Sequence, residues 1–97
     1  MADEPIFEWD PAKAESNLRK HGVTFENSRP VFTDPNAIDR LDETPDHDEE
    51  RSIIIGMAKG RLLAVVYTER DERVRIISAR MADKRECDGY YQNQAPE

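Results

Sequence analysis

Six cations fall within sixteen residues toward the end of this chain: Arg70, Arg73, Arg75, Arg80, Lys84 and Arg85. They interrupt or flank the apolar runs Val65-Val66 and Val74-Arg75-Ile76-Ile77-Ser78-Ala79-Arg80. A cation inside a strand pattern is stable only if it faces water or meets an anion. Arginine's planar fork grips two oxygens of one phosphate, so a phosphate backbone, RNA above all, is the anion this density favours. Cutting RNA without a metal makes three demands. The 2′-hydroxyl must lose its proton, the phosphorane's charge must be neutralised, and the departing 5′-oxygen must gain a proton. The candidate catalytic residues are His21 or Glu69 as proton carrier, with Arg75 and Arg80 as charge stabilisers. Lys20, Arg70, Lys84, Arg85 and Tyr90 are the candidate RNA-holding residues.

A plainer reading stands beside each. Histidine is the side-chain type that titrates near neutral pH, yet His21 ends a helix pattern, where an imidazole simply complements the dipole. Glu69-Arg70 also fits a salt bridge on a hairpin rim. Tyr90 and Tyr91 suit core packing at least as well as base stacking, and Cys87 suits a small apolar filler. Lys84 and Arg85 open a helix, the unfavourable end for cations, which points to an external anion. In strict alternation Val74, Ile76, Ser78 and Arg80 share one face of a strand, and Arg73, Arg75, Ile77 and Ala79 share the other. That pattern predicts arginine on both faces.

The whole chain carries a net charge of -7, which opposes long-range steering toward nucleic acid. The charge is unevenly spread. From Lys59 to Arg85 there are eight cations and four anions, whereas Met1 to Ala58 has six cations and fourteen anions. Local potential differs in sign from the total over a Debye length of about 8–10 Å, so an acidic molecule can hold a basic site. Ninety-seven residues suffice for one domain. No apolar run is long enough to span a bilayer, and Met1-Ala2-Asp3-Glu4-Pro5 lacks the basic and apolar regions of a secretory signal. The single Cys87 can form neither an internal disulfide nor a cysteine zinc cluster, which fits a reducing cytosol. Neither a metal nor a cofactor is expected.

These residues need elements to place them. Ile6-Phe7-Glu8-Trp9 reads as a short strand. Asp10-Pro11 then provides a helix cap and a first-turn proline, and the helix runs to His21 before Gly22. Ala14, Leu18 and His21 share its expected apolar face. Thr24 caps a second, shorter helix that Pro30 limits. Ala37 to Leu41 is an edge-type strand, and Asp42 to Glu50 a solvated acidic loop. Three strands follow, Ser52 to Met57, Arg61 to Glu69 and Val74 to Ala79, joined by hairpin-length turns. Asp83-Lys84-Arg85-Glu86 is a capping-box pattern opening a last helix, which Gly89 weakens by about 1 kcal/mol. Gln92 to Glu97 should fray. The expected fold is α+β: an antiparallel sheet, two N-terminal helices and a short C-terminal helix.

Several of these segments resemble the BrnT family of bacterial toxins. They are Phe7-Glu8-Trp9-Asp10-Pro11-Ala12-Lys13, Asn17, Lys20 to Phe25, Val31-Phe32-Thr33-Asp34-Pro35, Arg51 and Ile55-Gly56. Val66 to Arg70, Arg75 to Arg80, Lys84-Arg85-Glu86 and Tyr90 continue the likeness, which spans Phe7 to Tyr91 in order and spacing. The resemblance implies a RelE-like fold, RNA cleavage, and neutralisation by a neighbouring antitoxin, BrnA-like and of ribbon-helix-helix type. It implies contact with DNA only through that antitoxin. A catalytically inactive toxin-fold module that binds an antitoxin is the alternative. Direct DNA binding is weaker, because no helix-turn-helix signature is present.

Overall fold

Five strands form one sheet in the order β1-β5-β4-β3-β2. They are β1 (Ile6–Glu8), β2 (Ile38–Asp42), β3 (Arg51–Ala58), β4 (Arg61–Arg70) and β5 (Arg73–Met81). The structure, a computed structural model, describes residues 5–43 and 50–93. Most of the expected acidic loop and the end of the expected frayed tail lie outside the described residues. The sheet is antiparallel except that β1 runs parallel to β5, pairing Ile6, Phe7 and Glu8 with Arg73, Val74 and Arg75. The α+β expectation holds, with this one parallel edge added.

Both tight hairpins are built on two residues of positive φ. Lys59 and Gly60 join β3 to β4, and Asp71 and Glu72 join β4 to β5. That conformation matches the right-handed twist of the strands it connects. Arg70 is therefore the last paired residue of β4, opposite Arg73, and not part of the turn as the sequence pattern suggested.

α1 (Pro11–His21) begins where the sequence places it: the Asp10 carboxylate accepts from the Ala12 N–H at 2.9 Å. It stops at Gly22, whose φ of 69° lets its N–H reach the Leu18 carbonyl. Thr24 caps α2 (Phe25–Ser28), and Pro30 tightens the next residues into a 3₁₀ turn, Arg29–Thr33. These helical segments cover one face of the sheet around Val23, Phe25, Val31, Leu63, Val65 and Ile76. α3 (Lys84–Gln92) has the expected capping box, with Asp83 and Glu86 exchanging side-chain and backbone bonds. It covers part of the opposite face, where Ile53, Ile55, Leu62 and Ala64 meet Tyr90.

The buried flank of α1 departs from the expected one. Ala14 packs on the core, but Leu18 is 46% exposed and Asn17 is the buried residue. The cause is the short β1, which leaves the far half of β5 an open edge. Asn17 pairs with that edge: its amide donates to the Ala79 carbonyl (2.8 Å) and accepts from the Ala79 N–H (3.1 Å). The same amide nitrogen donates to Val23 O at 2.9 Å, so one side chain satisfies three backbone groups.

Asp34 does comparable work at the other edge. One carboxylate oxygen accepts from the Met57 N–H (2.8 Å) and the Tyr90 hydroxyl (2.6 Å), and the other from the Asn36 N–H (2.9 Å). Gly56 leaves room beside it for this arrangement. A Cβ on Gly56 would lie 3.0 Å from Val31 Cγ1 and 3.2 Å from Asp34 Oδ2.

Candidate functional site: the arginine face of the sheet

Strand register decides which side chains meet. Val66 of β4 pairs with Ser78, but Tyr67 pairs with Ile76, so Ile77 is the extra residue of a β-bulge. Strict alternation put Arg75 and Arg80 on opposite faces; the bulge corrects this. Arg75 lies opposite Thr68 and Arg80 opposite Ala64, four residues apart on β4 and therefore on one side of the sheet. That side is the one α3 partly covers, because Ala64 packs with Tyr90.

The same face gathers further cations. Arg40 pairs with Ile53, and Arg51 stands one step before Ile53 on the same side, opposite Asp42. Arg70 and Arg73 close the hairpin end opposite each other. Six arginines thus share a face to which the strands contribute two carboxylates, Glu8 and Asp42. The sequence reading missed Arg40 and Arg51. The apolar Ile38 and Ile53 at alternate positions were the signal that could have placed them.

Carboxylates hold several of these guanidinium groups in set positions. Glu86, brought by the first turn of α3, takes Arg80 in a bidentate pair at 2.8 and 3.0 Å and Arg40 at 3.7 Å. Glu86 is 7% exposed and also accepts from the Asp83 N–H at 2.9 Å. The Arg80 bonds hold its carboxyl below the usual glutamate range, and the Asp83 N–H adds to this against burial, which opposes it. Glu86 in turn raises Arg80. At the other end of the face Glu8 lies 3.3 Å from Arg75 and 3.7 Å from Arg73. The Nε of Arg51 is buried with no hydrogen-bond partner among the described residues.

Asp34 behaves like Glu86. Burial pushes its pKa up, but the Tyr90 hydroxyl and the Met57 and Asn36 N–H groups outweigh it, and the net direction is down. A carboxylate depressed in the folded state stabilises above its unfolded pKa, and that stability is lost as pH falls through the lower folded value. Both groups anchor α3. We therefore expect α3 to loosen from the sheet below about pH 4 and to be held firmly at neutral pH. Tyrosine fluorescence and far-UV circular dichroism from pH 7 to 2 check this; a transition unchanged in Asp34→Asn and Glu86→Gln would contradict it.

The remaining sequence candidates are placed apart from one another. Lys20 and His21 line a depression of about 190 Å³ at the open edge of β5, with Lys13, Ser16, Ile77 and Ser78. Ser78 belongs to the arginine face, so this depression adjoins it. Glu69 pairs with Val74 and points to the helix-covered side, away from Arg75 and Arg80. It lines a separate cavity of about 390 Å³ with Glu50, Ser52, Tyr67, Thr68 and Arg70. Lys84 is 3.0 Å from Asp88 and, with Arg85, borders a shallow groove on the outside of α3. Tyr90 is 3% exposed, packed under α3 with its hydroxyl on Asp34. Its ring position is occupied by core contacts, because the apolar α3 flank needs a large residue there. Cys87 packs beside it.

A family model described as the ribonuclease toxin BrnT of type II toxin–antitoxin systems matches residues 9–86. The chain belongs to the BrnT family. That match contains the helix with Lys20 and His21, all six arginines of the sheet face and the Arg80–Glu86 pair. No curated protein matches the chain. A BrnT toxin implies a protein antitoxin as its partner. Among the described residues no helix is long and apolar enough to cross a membrane.

Proposed function

We propose that this BrnT-family protein is a metal-independent endoribonuclease that holds the RNA backbone on the arginine face of its sheet. One observation carries the reading: the Ile77 bulge turns Arg75 and Arg80 to the same side. Arg80 neutralises the non-bridging oxygens of the scissile phosphate as the 2′-oxygen attacks phosphorus and the P–O5′ bond breaks, while Arg75 and Arg51, roughly 13 Å further along the strands, hold the neighbouring phosphates. The product ends are a 2′,3′-cyclic phosphate and a 5′-hydroxyl. Arg80 can serve despite Glu86. A guanidinium has five N–H donors, and the bonds to Glu86 and Met81 O use only those on Nη1 and Nη2, leaving Nε–H without a partner among the described residues. His21, at the adjoining edge with Lys20 and Lys13, carries the proton between the 2′- and 5′-oxygens. Glu69 has no part in this scheme, because it faces the other side. The antitoxin, BrnA-like and of ribbon-helix-helix type, neutralises the toxin and supplies the only link to DNA.

Incubating the purified protein with end-labelled RNA in EDTA tests this. Cleavage leaving cyclic phosphate ends, and its absence on a strand with 2′-deoxyribose throughout, is the expected result. No cleavage with or without added metals would favour the inactive, antitoxin-binding module instead.

Glu8 offers a test with the opposite sign. Its carboxylate competes with phosphate for Arg73 and Arg75. Glu8→Gln should tighten binding of an uncleavable 2′-deoxy strand by about 3–10-fold at low salt and steepen the salt dependence by up to about one ion. Fluorescence anisotropy across a salt series reads both, and weaker binding would exclude the face as the RNA site.

A further inference from the structure

The other flank of α1 carries a different surface. Between α1 and α2 lies a cleft of about 310 Å³ whose walls are Trp9, Ala14, Leu18 and Phe25 and whose rim carries Glu15 and Glu26. Trp9 and Phe25 meet edge to face at 5.8 Å and form its floor. Leu18 stands 46% exposed at its lip, although a leucine on the outside of a helix gains nothing from water. Among the described residues Glu15 pairs with Arg19 alone, at 3.5 Å and highly exposed, and no cation lines the cleft. Apolar walls with a carboxylate rim reject RNA. A second copy of a chain with net charge -7 is a poor occupant for the same electrostatic reason.

We propose that this cleft is the docking site for a helical segment of the antitoxin, anchored by apolar side chains and flanked by Lys or Arg. An amphipathic helix laid in a groove meets both requirements: its apolar stripe covers Leu18 and Trp9, and its basic flank faces Glu15 and Glu26. The inference rests on the toxin reading given above and adds where the partner sits. Residues 14, 15 and 18 face the cleft, while 13, 17, 20 and 21 face the β5 edge. The partner therefore attaches about one helix diameter, 10–12 Å, from His21 without touching the arginine face. RNA-binding and antitoxin-binding surfaces lie back to back across α1.

The test uses Leu18→Arg in the full chain, with the antitoxin co-expressed from the reading frame adjoining the gene. Leu18 is 46% exposed and lines the cleft, whereas Lys20 and His21 line the depression at the β5 edge, so the melting temperature and RNA cleavage of the variant should equal those of the wild type. Antitoxin affinity should fall at least about 30-fold, as for loss of a central anchor. Glu26→Lys, at the rim, should weaken it by about 3–10-fold and reduce its salt dependence. Unchanged affinity in Leu18→Arg overturns the docking site, and so does a wild-type dimer that this variant converts to monomer. If the wild type cleaves RNA but its cleavage stays inhibited in Leu18→Arg, docking alone has failed. If the wild type cleaves nothing, the toxin reading has failed.

Discussion

Arg80→Gln is expected to lower RNA cleavage about 10²–10³-fold, the usual effect of removing one pre-positioned donor from a developing oxyanion. It should also destabilise the protein. Glu86, with 6% of its side chain exposed, would lose two hydrogen bonds and its main counter-charge. Arg80 itself is about one-third exposed, so the loss lies nearer 1–3 kcal/mol than the larger figures for fully buried pairs. The two effects separate in the double variant. Arg80→Gln with Glu86→Gln removes the stranded charge and still leaves an acceptor for the Asp83 N–H, so most of the stability should return while activity does not. Glu86→Gln alone should keep substrate binding and slow the chemical step, because Arg80 stays charged but is no longer aimed. Thermal melts and single-turnover cleavage of all three variants give the complete cycle. Recovery of activity in the double variant would assign Arg80 to folding only.

Asn17→Ala carries the largest expected effect on stability. The amide is 5% exposed and satisfies both backbone groups of Ala79 as well as the Val23 carbonyl. Alanine leaves a buried N–H and two carbonyls without their partner, and water has little access to replace it. The expected loss is about 2–4 kcal/mol, a drop of roughly 10–25 °C in melting temperature for a domain of this size. Cleavage should fall as well in the fraction that stays folded, because Ala79 sits two residues past the bulged Ile77 that orients Arg75 relative to Arg80. Amide exchange at Ala79 offers an independent check. If exchange there is unchanged and the melt moves by less than about 3 °C, Asn17 does not hold the edge.

Most of the frame could be read from the chain before any coordinates. Asp10-Pro11, Gly22, Thr24 and the Asp83–Glu86 box encode their elements locally, through hydrogen bonds a few residues long. Alternating apolar residues encode β3 and β4 in the same way. What could not be read is long-range. The bulge at Ile77 depends on how β5 registers against β4, and no residue in Ile76-Ile77-Ser78 announces it. Yet it decides whether Arg75 and Arg80 cooperate. The role of Asn17 depends on β1 being only three residues long, which leaves an edge to be filled. The facing of Tyr90 and Glu69 was out of reach for a related reason. Residue type shows what a side chain can do, whereas its facing is set by pairing with other elements, such as Asp34, 56 residues away, for Tyr90 and Val74 of the neighbouring strand for Glu69. The acidic total does not show this arrangement either, in which Glu8 and Glu86 position arginines.

The most direct measurement is the arginine side-chain spectrum of the intact protein, ¹⁵N-labelled, titrated with a short RNA blocked by 2′-deoxyribose. Binding on the α3-side face predicts that the Nε–Hε signals of Arg51, Arg75 and Arg80 shift together and saturate at one ligand concentration. Arg19 and Arg29, on the helical layer, should stay in place. Shifts centred on Arg19 and Arg29, with Arg51, Arg75 and Arg80 unmoved at saturation, would contradict the account.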